Sequence, residues 1–283
     1  MPAPLSIAAS AVVATAVVLP ELVALALLAT VQGLTEFLPI SSSGHLVLAQ
    51  ALLGWEEPGL TIDVVVHLGT LVAVLLVYRE DVVGLGKDVL RGKLDEALLV
   101  VVATLPIVYV GLAHGEQVEE LFGSTRFAAT ALFGTAAILL VGEWARRRNA
   151  RGEEEVRTGR GLPTWAGAVA IGVAQSLAIL PGISRSGSTI AAGLLVGLAP
   201  QAAARFSFLM AIPAILGAAV LKLPDVLEQE SGTSVGALLF AAAVAAGVGW
   251  LALRILLAFL GRGAFGWFAL YCALLGGVTL LVT

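Results

Sequence analysis

Charged residues and cysteines are scarce in this chain of 283 residues. Only 13% of the residues are Asp, Glu, Lys or Arg, whereas about a quarter are charged in an average soluble domain. The single cysteine, Cys272, excludes an intramolecular disulfide and a cysteine metal cluster. The small net charge of −4 and the lack of a basic patch argue against a nucleic-acid partner.

Apolar residues make up 59% of the chain. This composition predicts a polytopic helical protein that lies in a lipid bilayer. Residues 1–19 are apolar but hold no Lys or Arg, so they lack the basic region of a signal peptide. We interpret them as an apolar N-terminal extension that ends at Pro20.

A polar stretch interrupts the first apolar region and recurs later in the chain. Residues 31–45 read VQGLTEFLPISSSGH and residues 175–187 read QSLAILPGISRSG. At an offset of 143 residues, the second stretch matches residues 32–44 at six of thirteen positions without a gap. The match predicts an internal repeat.

Each polar stretch separates two apolar segments that are shorter than the ~20 residues of a crossing helix, which predicts a re-entrant hairpin. Three spans follow each hairpin, and because three is odd, the second repeat should be inverted. The predicted fold class is an all-α integral membrane protein with two inverted-topology repeats, each a re-entrant helical hairpin plus three transmembrane helices. The first repeat, 20–145, comprises a hairpin at 21–54 and spans at 60–79, 97–114 and 127–145; the second, 165–283, comprises a hairpin at 165–199 and spans at 201–222, 234–253 and 264–283.

Charge in the connecting segments predicts the orientation in the membrane. The linker 146–164 is rich in arginine, which places it in the cytoplasm. The segment 115–126 carries Glu116, Glu119 and Glu120 and should lie outside.

The polar stretches carry groups that suit a phosphorylated ligand. In each, serines that follow a proline lead into a helix, and the free N–H groups of a helix start bind phosphate. Arg185 adds a planar, permanently charged fork, while Glu36 and His45 can bind a divalent cation or transfer protons. We therefore expect a phosphorylated lipid as the ligand.

These residues closely resemble the undecaprenyl-diphosphatase (bacitracin-resistance) family. The resemblance rests on residues 33–39, 41–45 and 181–187 and extends over residues 20–283. It implies a membrane phosphatase that converts long-chain polyprenyl diphosphate to the monophosphate and inorganic phosphate, which recycles the lipid carrier of cell-envelope glycan and peptidoglycan synthesis. It also implies Mg²⁺ (or Ca²⁺) as cofactor and a site open to the extracytoplasmic side of the cell membrane.

The resemblance transfers roles to single positions. Glu36, Ser42, His45 and Arg185 are the expected catalytic residues. Our mechanistic hypothesis makes Glu36 also the metal ligand, Ser42 the preferred nucleophile and His45 an acid or base. Many family members have a second glutamate where this chain has Gln32, so we expect one metal ion rather than two. The expected phosphate-binding residues are Ser41, Ser43, Gly44, Ser184, Ser186 and Gly187. Candidate supporting residues come from the sequence pattern instead: Gln32 and Gln175 match in the repeat, and Asp63 and His67 stand four residues apart on one helix face.

Several alternatives stay open at this point. A lipid-carrier flippase could use the same midplane phosphate site, and direct water attack could replace a phosphoserine intermediate. A homodimer is compatible with the sequence. An intramembrane serine protease is disfavoured because Arg185 has no place in peptide hydrolysis. The acid-phosphatase-like lipid phosphatases are excluded because their Lys-Arg-Pro motif and later catalytic His are missing here.

Overall fold

The structure is a computed structural model that describes residues 21–53, 60–151, 161–228, 233–260 and 265–283. The predicted N-terminal extension, residues 1–19, and residues 152–160 of the Arg-rich linker lie outside the described residues. The described residues form eleven helices: α1 Glu21–Phe37, α2 Ser42–Leu53, α3 Leu60–Val77, α4 Arg79–Leu90, α5 Asp95–Phe122, α6 Thr125–Arg151, α7 Trp165–Leu177, α8 Arg185–Leu195, α9 Pro200–Glu228, α10 Val235–Phe259 and α11 Phe265–Val282.

Five of these helices are long and apolar enough to cross a membrane, namely α5, α6, α9, α10 and α11. A sixth span results if α3 and α4, which are bent by 79° at Tyr78, are counted together. These helices correspond to the six predicted spans. The prediction of an all-α integral membrane protein is therefore confirmed for the part of the chain that the structure describes.

Two short helices that pack on each other lie at each position where a re-entrant hairpin is predicted, α1 with α2 and α7 with α8, while re-entry into a membrane stays a prediction. The backbone reverses through residues in left-handed conformations, Ser41 at φ 71° and Gly182 at φ 96°. A proline precedes each of these residues in sequence, Pro39 and Pro181, and proline cannot continue a helix. Helices α1 and α7 therefore end ahead of these turns, at Phe37 and Leu177.

Helices that correspond in the two repeats make corresponding contacts. Helix α1 packs against α10, and α7 packs against α5; α3 contacts α10, and α9 contacts α5. Helix α6 packs along its own counterpart, α11. This pattern fits a repeat, while the inverted orientation of the two copies stays a prediction.

Small residues allow the helices to approach closely, as is usual in membranes. A Cβ on Gly69 of α3 would lie 2.5 Å from the Ala242 carbonyl oxygen of α10. A Cβ on Gly172 of α7 would lie 2.5 Å from the Ala103 carbonyl oxygen of α5. These two glycines thus determine how α3 and α7 pack on their neighbours.

Several helices extend beyond the predicted spans. Helix α5 continues through an irregular residue, His114 (φ −135°, ψ 17°), to Phe122, so the acidic segment predicted as a loop is largely helical. The segment between the predicted spans 60–79 and 97–114 contains α4, and α6 runs into the Arg-rich linker as far as Arg151. The predicted spans ended where the apolar runs ended. The helices continue further because glutamate and arginine are good helix formers outside the bilayer.

Replacement of Gly69 by alanine should destabilise the fold, because the added methyl group would press on the backbone of α10. Overpacking of this kind costs about 1–3 kcal/mol. The measurement is thermal unfolding of the purified protein in detergent. The matched control is Gly247→Ala on α10, where a Cβ meets nothing within 4 Å. Equal midpoints for the two variants would contradict the close α3–α10 contact.

Candidate active site

A buried carboxylate near the end of α1 joins the two halves of the chain. Glu36 is 7% exposed, and its Oε1 accepts a hydrogen bond of 2.6 Å from Nη2 of Arg185, the first residue of α8. Its Oε2 accepts hydrogen bonds from Ser42 Oγ at 2.5 Å and from Gln32 Nε2 at 3.0 Å. Three of the four predicted catalytic residues therefore meet around one carboxylate group.

Helix α3 brings His67 to this carboxylate, and Asp63 of the same helix contacts His67. His67 Nε2 lies 3.9 Å from Glu36 Oε2. His67 Nδ1 lies 2.8 Å from the Asp63 carbonyl oxygen and 3.5 Å from Asp63 Oδ1. The two residues were expected to support the site from one face of a helix, and the structure places His67 directly beside Glu36.

The serine turn before α2 builds a helix cap. The Ser41 hydroxyl accepts a hydrogen bond of 3.2 Å from the Gly44 N–H and lies 3.2 Å from Ser43 Oγ. Ser41 is itself buried and has a positive φ, which is rare for a residue other than glycine. Ser41 directly precedes Ser42, whose hydroxyl bonds to Glu36 Oε2 from the start of α2.

The turn before α8 has the same cap. The Ser184 hydroxyl accepts a hydrogen bond of 3.1 Å from the Gly187 N–H and lies 3.3 Å from Ser186 Oγ. Ser186 in turn donates to the Leu38 carbonyl oxygen of the first turn, at 3.2 Å. The predicted phosphate-binding serines thus hold the two helix starts together, and their own hydroxyls are largely engaged within the protein.

Two glycines allow the turns to touch. A Cβ on Gly44 would lie 3.0 Å from the Gly182 Cα, and a Cβ on Gly182 would lie 2.4 Å from the Ala128 carbonyl oxygen of α6. The first turns of α2 and α8 therefore lie side by side. Their backbone N–H groups form a favourable place for an anion near the Arg185 guanidinium.

Thr135 of α6 is a site residue that the sequence analysis missed. Its hydroxyl donates to the Gly182 carbonyl oxygen at 2.7 Å and accepts from the Ser184 N–H at 2.9 Å. Thr135 is fully buried and satisfies two backbone groups of the turn that precedes Arg185. A single threonine within an apolar span gave no signal of this role.

His45 lies one helical turn beyond Ser42 and faces away from Glu36, towards α11. Its Nδ1 lies 2.7 Å from the Ser41 carbonyl oxygen, and its Nε2 lies 2.7 Å from the Tyr271 hydroxyl. The two rings are also stacked, with centroids 5.6 Å apart. The expected acid or base role of His45 stays a prediction, and Tyr271 is a second residue that the sequence analysis missed.

The two glutamines of the repeat are both fully buried but differ in their partners. Gln32 donates to Glu36, and its Oε1 has no hydrogen-bond partner within the described ranges. Neither amide atom of Gln175 has a partner there. The structure thus joins Gln32 to Glu36, whereas Gln175 makes no such hydrogen bond among the described residues.

The residues around Glu36 fit one Mg²⁺ or Ca²⁺ only with help from a ligand. Among the described residues, no group of three His, Cys, Asp or Glu side chains is arranged to hold a metal ion. Mg²⁺ commonly uses one or two carboxylates together with substrate phosphates and water. Glu36 and the unpartnered Gln32 Oε1 are oxygen donors of the required kind.

Comparison with known proteins gives a consistent result. The family model described as "Bacitracin resistance protein BacA" matches residues 25–278. A curated protein of Desulfatibacillum aliphaticivorans, named undecaprenyl-diphosphatase, is 42% identical over 277 residues, with 90% of this chain and 96% of the relative covered. Relatives of the same name from Carboxydothermus hydrogenoformans (41% identical, 90% and 95% covered) and Methanosphaera stadtmanae (36% identical, 91% and 96% covered) match equally completely.

Replacement of Thr135 by valine should loosen the turn that carries Arg185. The change removes the partner of a buried carbonyl and of a buried N–H, and each such loss costs about 1–3 kcal/mol. Hydrogen–deuterium exchange of the peptide over 178–188 should become faster. The control is Thr130→Val on the same helix, whose hydroxyl donates to its own helix at the Arg126 carbonyl. Unchanged exchange in the Thr135 variant would contradict this role.

Proposed function

The chain belongs to the bacitracin resistance protein BacA family, and from this membership we propose that it hydrolyses undecaprenyl diphosphate to the monophosphate and inorganic phosphate. It is a membrane-embedded phosphatase whose reaction returns the lipid carrier to cell-envelope glycan synthesis. The observation that supports this chemistry most directly is the contact of Ser42 and Arg185 with opposite oxygens of Glu36. A nucleophile, a base and an anion-binding group thereby lie together at two helix starts.

Binding of the diphosphate is the task of Arg185 and the two helix starts. A guanidinium carries five N–H donors, so Arg185 can hold Glu36 through Nη2 and still bind phosphate oxygens. The N–H groups in the first turns of α2 and α8 add partial positive charge. Because the site is buried, these donors act in a medium of low dielectric constant, where they stabilise developing charge strongly.

The geometry favours Ser42 as the nucleophile. Its hydroxyl donates to Glu36 Oε2 at 2.5 Å, so Glu36 is positioned to take the proton as Ser42 Oγ attacks the terminal phosphorus. The P–O bond to the inner phosphate breaks, the lipid monophosphate leaves, and phosphoserine remains. Water then attacks the phosphoserine, inorganic phosphate leaves, and Ser42 regains a proton. Direct attack of water, with Glu36 as the base, is the alternative route.

A single divalent cation is part of the proposal. Glu36 and Gln32 Oε1 would hold it together with phosphate oxygens of the substrate. When bound, the ion neutralises charge on the phosphates. Gln32 carries no charge, which favours one ion over two.

The membrane and its sidedness are proposed from charge. Arg146, Arg147 and Arg148 lie near the end of α6, and the positive-inside rule supports a cytoplasmic location for this end. We propose the cell membrane as the location and an opening of the site towards the extracytoplasmic side. Assembly as a homodimer is compatible with this arrangement.

The flippase alternative is not favoured. Transport requires binding sites but no hydroxyl placed against a carboxylate, whereas Ser42 and Glu36 form such a pair. The family relatives also carry the name of a diphosphatase.

Purified protein in detergent should release phosphate from undecaprenyl diphosphate, and the release should require Mg²⁺ or Ca²⁺. Glu36→Gln and Arg185→Ala should each lower kcat/KM by about 10²–10⁴-fold, the usual range for loss of a base or of an electrostatic donor. Arg254→Ala, which removes an arginine that lies over Trp250 on α10, is the control. Binding without release by the unaltered protein would instead support the transporter.

Acid-quenched reactions should distinguish the two routes. With substrate labelled in its terminal phosphate, the unaltered protein should carry label on Ser42, and Ser42→Ala should carry none and turn over poorly. The reason is that only a serine nucleophile forms a covalent phosphate ester. An unlabelled protein combined with an active Ser42→Ala variant would establish direct attack of water.

A further inference from the structure

Tyr271 of α11 reaches His45 of α2 from the far end of the chain. The Tyr271 hydroxyl lies 2.7 Å from His45 Nε2, and the two rings are stacked with an interplanar angle of 6°. Tyr271 is 43% exposed, so its position is not explained by burial of its ring in the protein core. The contact therefore fixes the ring plane and the position of the His45 imidazole.

The hydrogen-bond partners of the His45 imidazole define which ring nitrogen carries the proton. A carbonyl oxygen only accepts hydrogen bonds, so His45 Nδ1 carries a proton and donates it to the Ser41 carbonyl at 2.7 Å. In the neutral ring, Nε2 then accepts from the Tyr271 hydroxyl. Both ring nitrogens are thus engaged, and neither is directed at Glu36.

The bond from His45 holds a residue of unusual conformation. Ser41 has a φ of 71°. This backbone conformation is strained for a residue with a Cβ, so it persists only where the surrounding structure enforces it. The Ser41 carbonyl belongs to the peptide bond that links Ser41 to Ser42. His45 therefore holds the peptide group that orients the proposed nucleophile.

We infer that Tyr271 and His45 are positioning residues that hold Ser41 in its left-handed conformation and so direct the Ser42 hydroxyl at Glu36. The contacts run from Tyr271 to His45, from His45 to Ser41 and from Ser41 to Ser42, in the manner in which a third group orients a catalytic pair. In this account His45 acts through hydrogen bonds rather than by proton transfer to substrate. The inference rests on the proposed phosphatase reaction for its kinetic consequences.

The first test is Tyr271→Phe, which keeps the stacked ring and removes the hydroxyl. Phosphate release should show a kcat lower by about fivefold, the value of one ordinary hydrogen bond, with KM nearly unchanged. Tyr109→Phe is the matched control, because Tyr109 is an exposed residue of α5. A change confined to KM, or no change, would overturn the positioning role.

The second test separates positioning from proton transfer. Glycine adopts positive φ without strain, so Ser41→Gly should remove much of the need for the hydrogen bond from His45. In a Ser41→Gly background, Tyr271→Phe and His45→Ala should each lower kcat by clearly less than in the unaltered protein. Equal losses in both backgrounds would show that His45 or Tyr271 acts independently of Ser41, as a proton-transfer group would.

A third measurement does not depend on activity. The chain has three histidines, so ¹⁵N-histidine labelling gives a small set of ring resonances, and His45→Ala identifies those of His45. Tyr271→Phe should shift the His45 Nε2 resonance and leave the Nδ1–H form in place. An unchanged Nε2 resonance would refute the contact itself. Absence of phosphate release by the unaltered protein, by contrast, would refute the proposed function and leave this measurement interpretable.

Discussion

The ion pair between Glu36 and Arg185 is the interaction on which the site depends. It joins the first repeat to the second across 149 residues, and its side chains are only 6% and 17% exposed. Removal of one partner of such a pair leaves a buried, uncompensated charge, which typically costs about 3–5 kcal/mol. The pair therefore neutralises two costly charges and, at the same time, keeps the proposed base and the proposed phosphate-binding group in mutual contact.

The two copies of the repeat have the same residues at the helix caps but different residues at the proposed catalytic positions. Ser41 and Ser184 occupy matching positions, and each accepts a hydrogen bond from the N–H three residues later, at 3.2 and 3.1 Å. Arg185, by contrast, stands where the first copy has Ser42, and Ile179 stands where it has Glu36. One copy thus supplies the carboxylate and hydroxyl and the other supplies the cation, so neither copy alone contains the site.

Much of the fold and the centre of the site were predictable because lipid imposes simple rules. Apolar runs long enough to cross the bilayer predicted six spans where the structure has long apolar helices, counting the bent pair α3 and α4 as one. Charged groups inside apolar segments led us to predict a functional role for Glu36 and Arg185, and the structure brings the two side chains together. Helix ends were harder to predict. Hydropathy indicates where a segment leaves the bilayer, whereas the helix can continue beyond that point in water. Helix α5 illustrates the difference, because it continues past His114 through three glutamates.

The sequence by itself determined the membrane class, the broken helices and the identity of the groups at the site, because composition and local capping rules are properties of short segments. Only the tertiary structure decided which of these groups touch. It placed His67 beside Glu36, turned His45 towards Tyr271, and set Thr135 against the turn before Arg185. These contacts join residues that are distant along the chain, and their partners come from helix packing, which no local pattern of residues specifies.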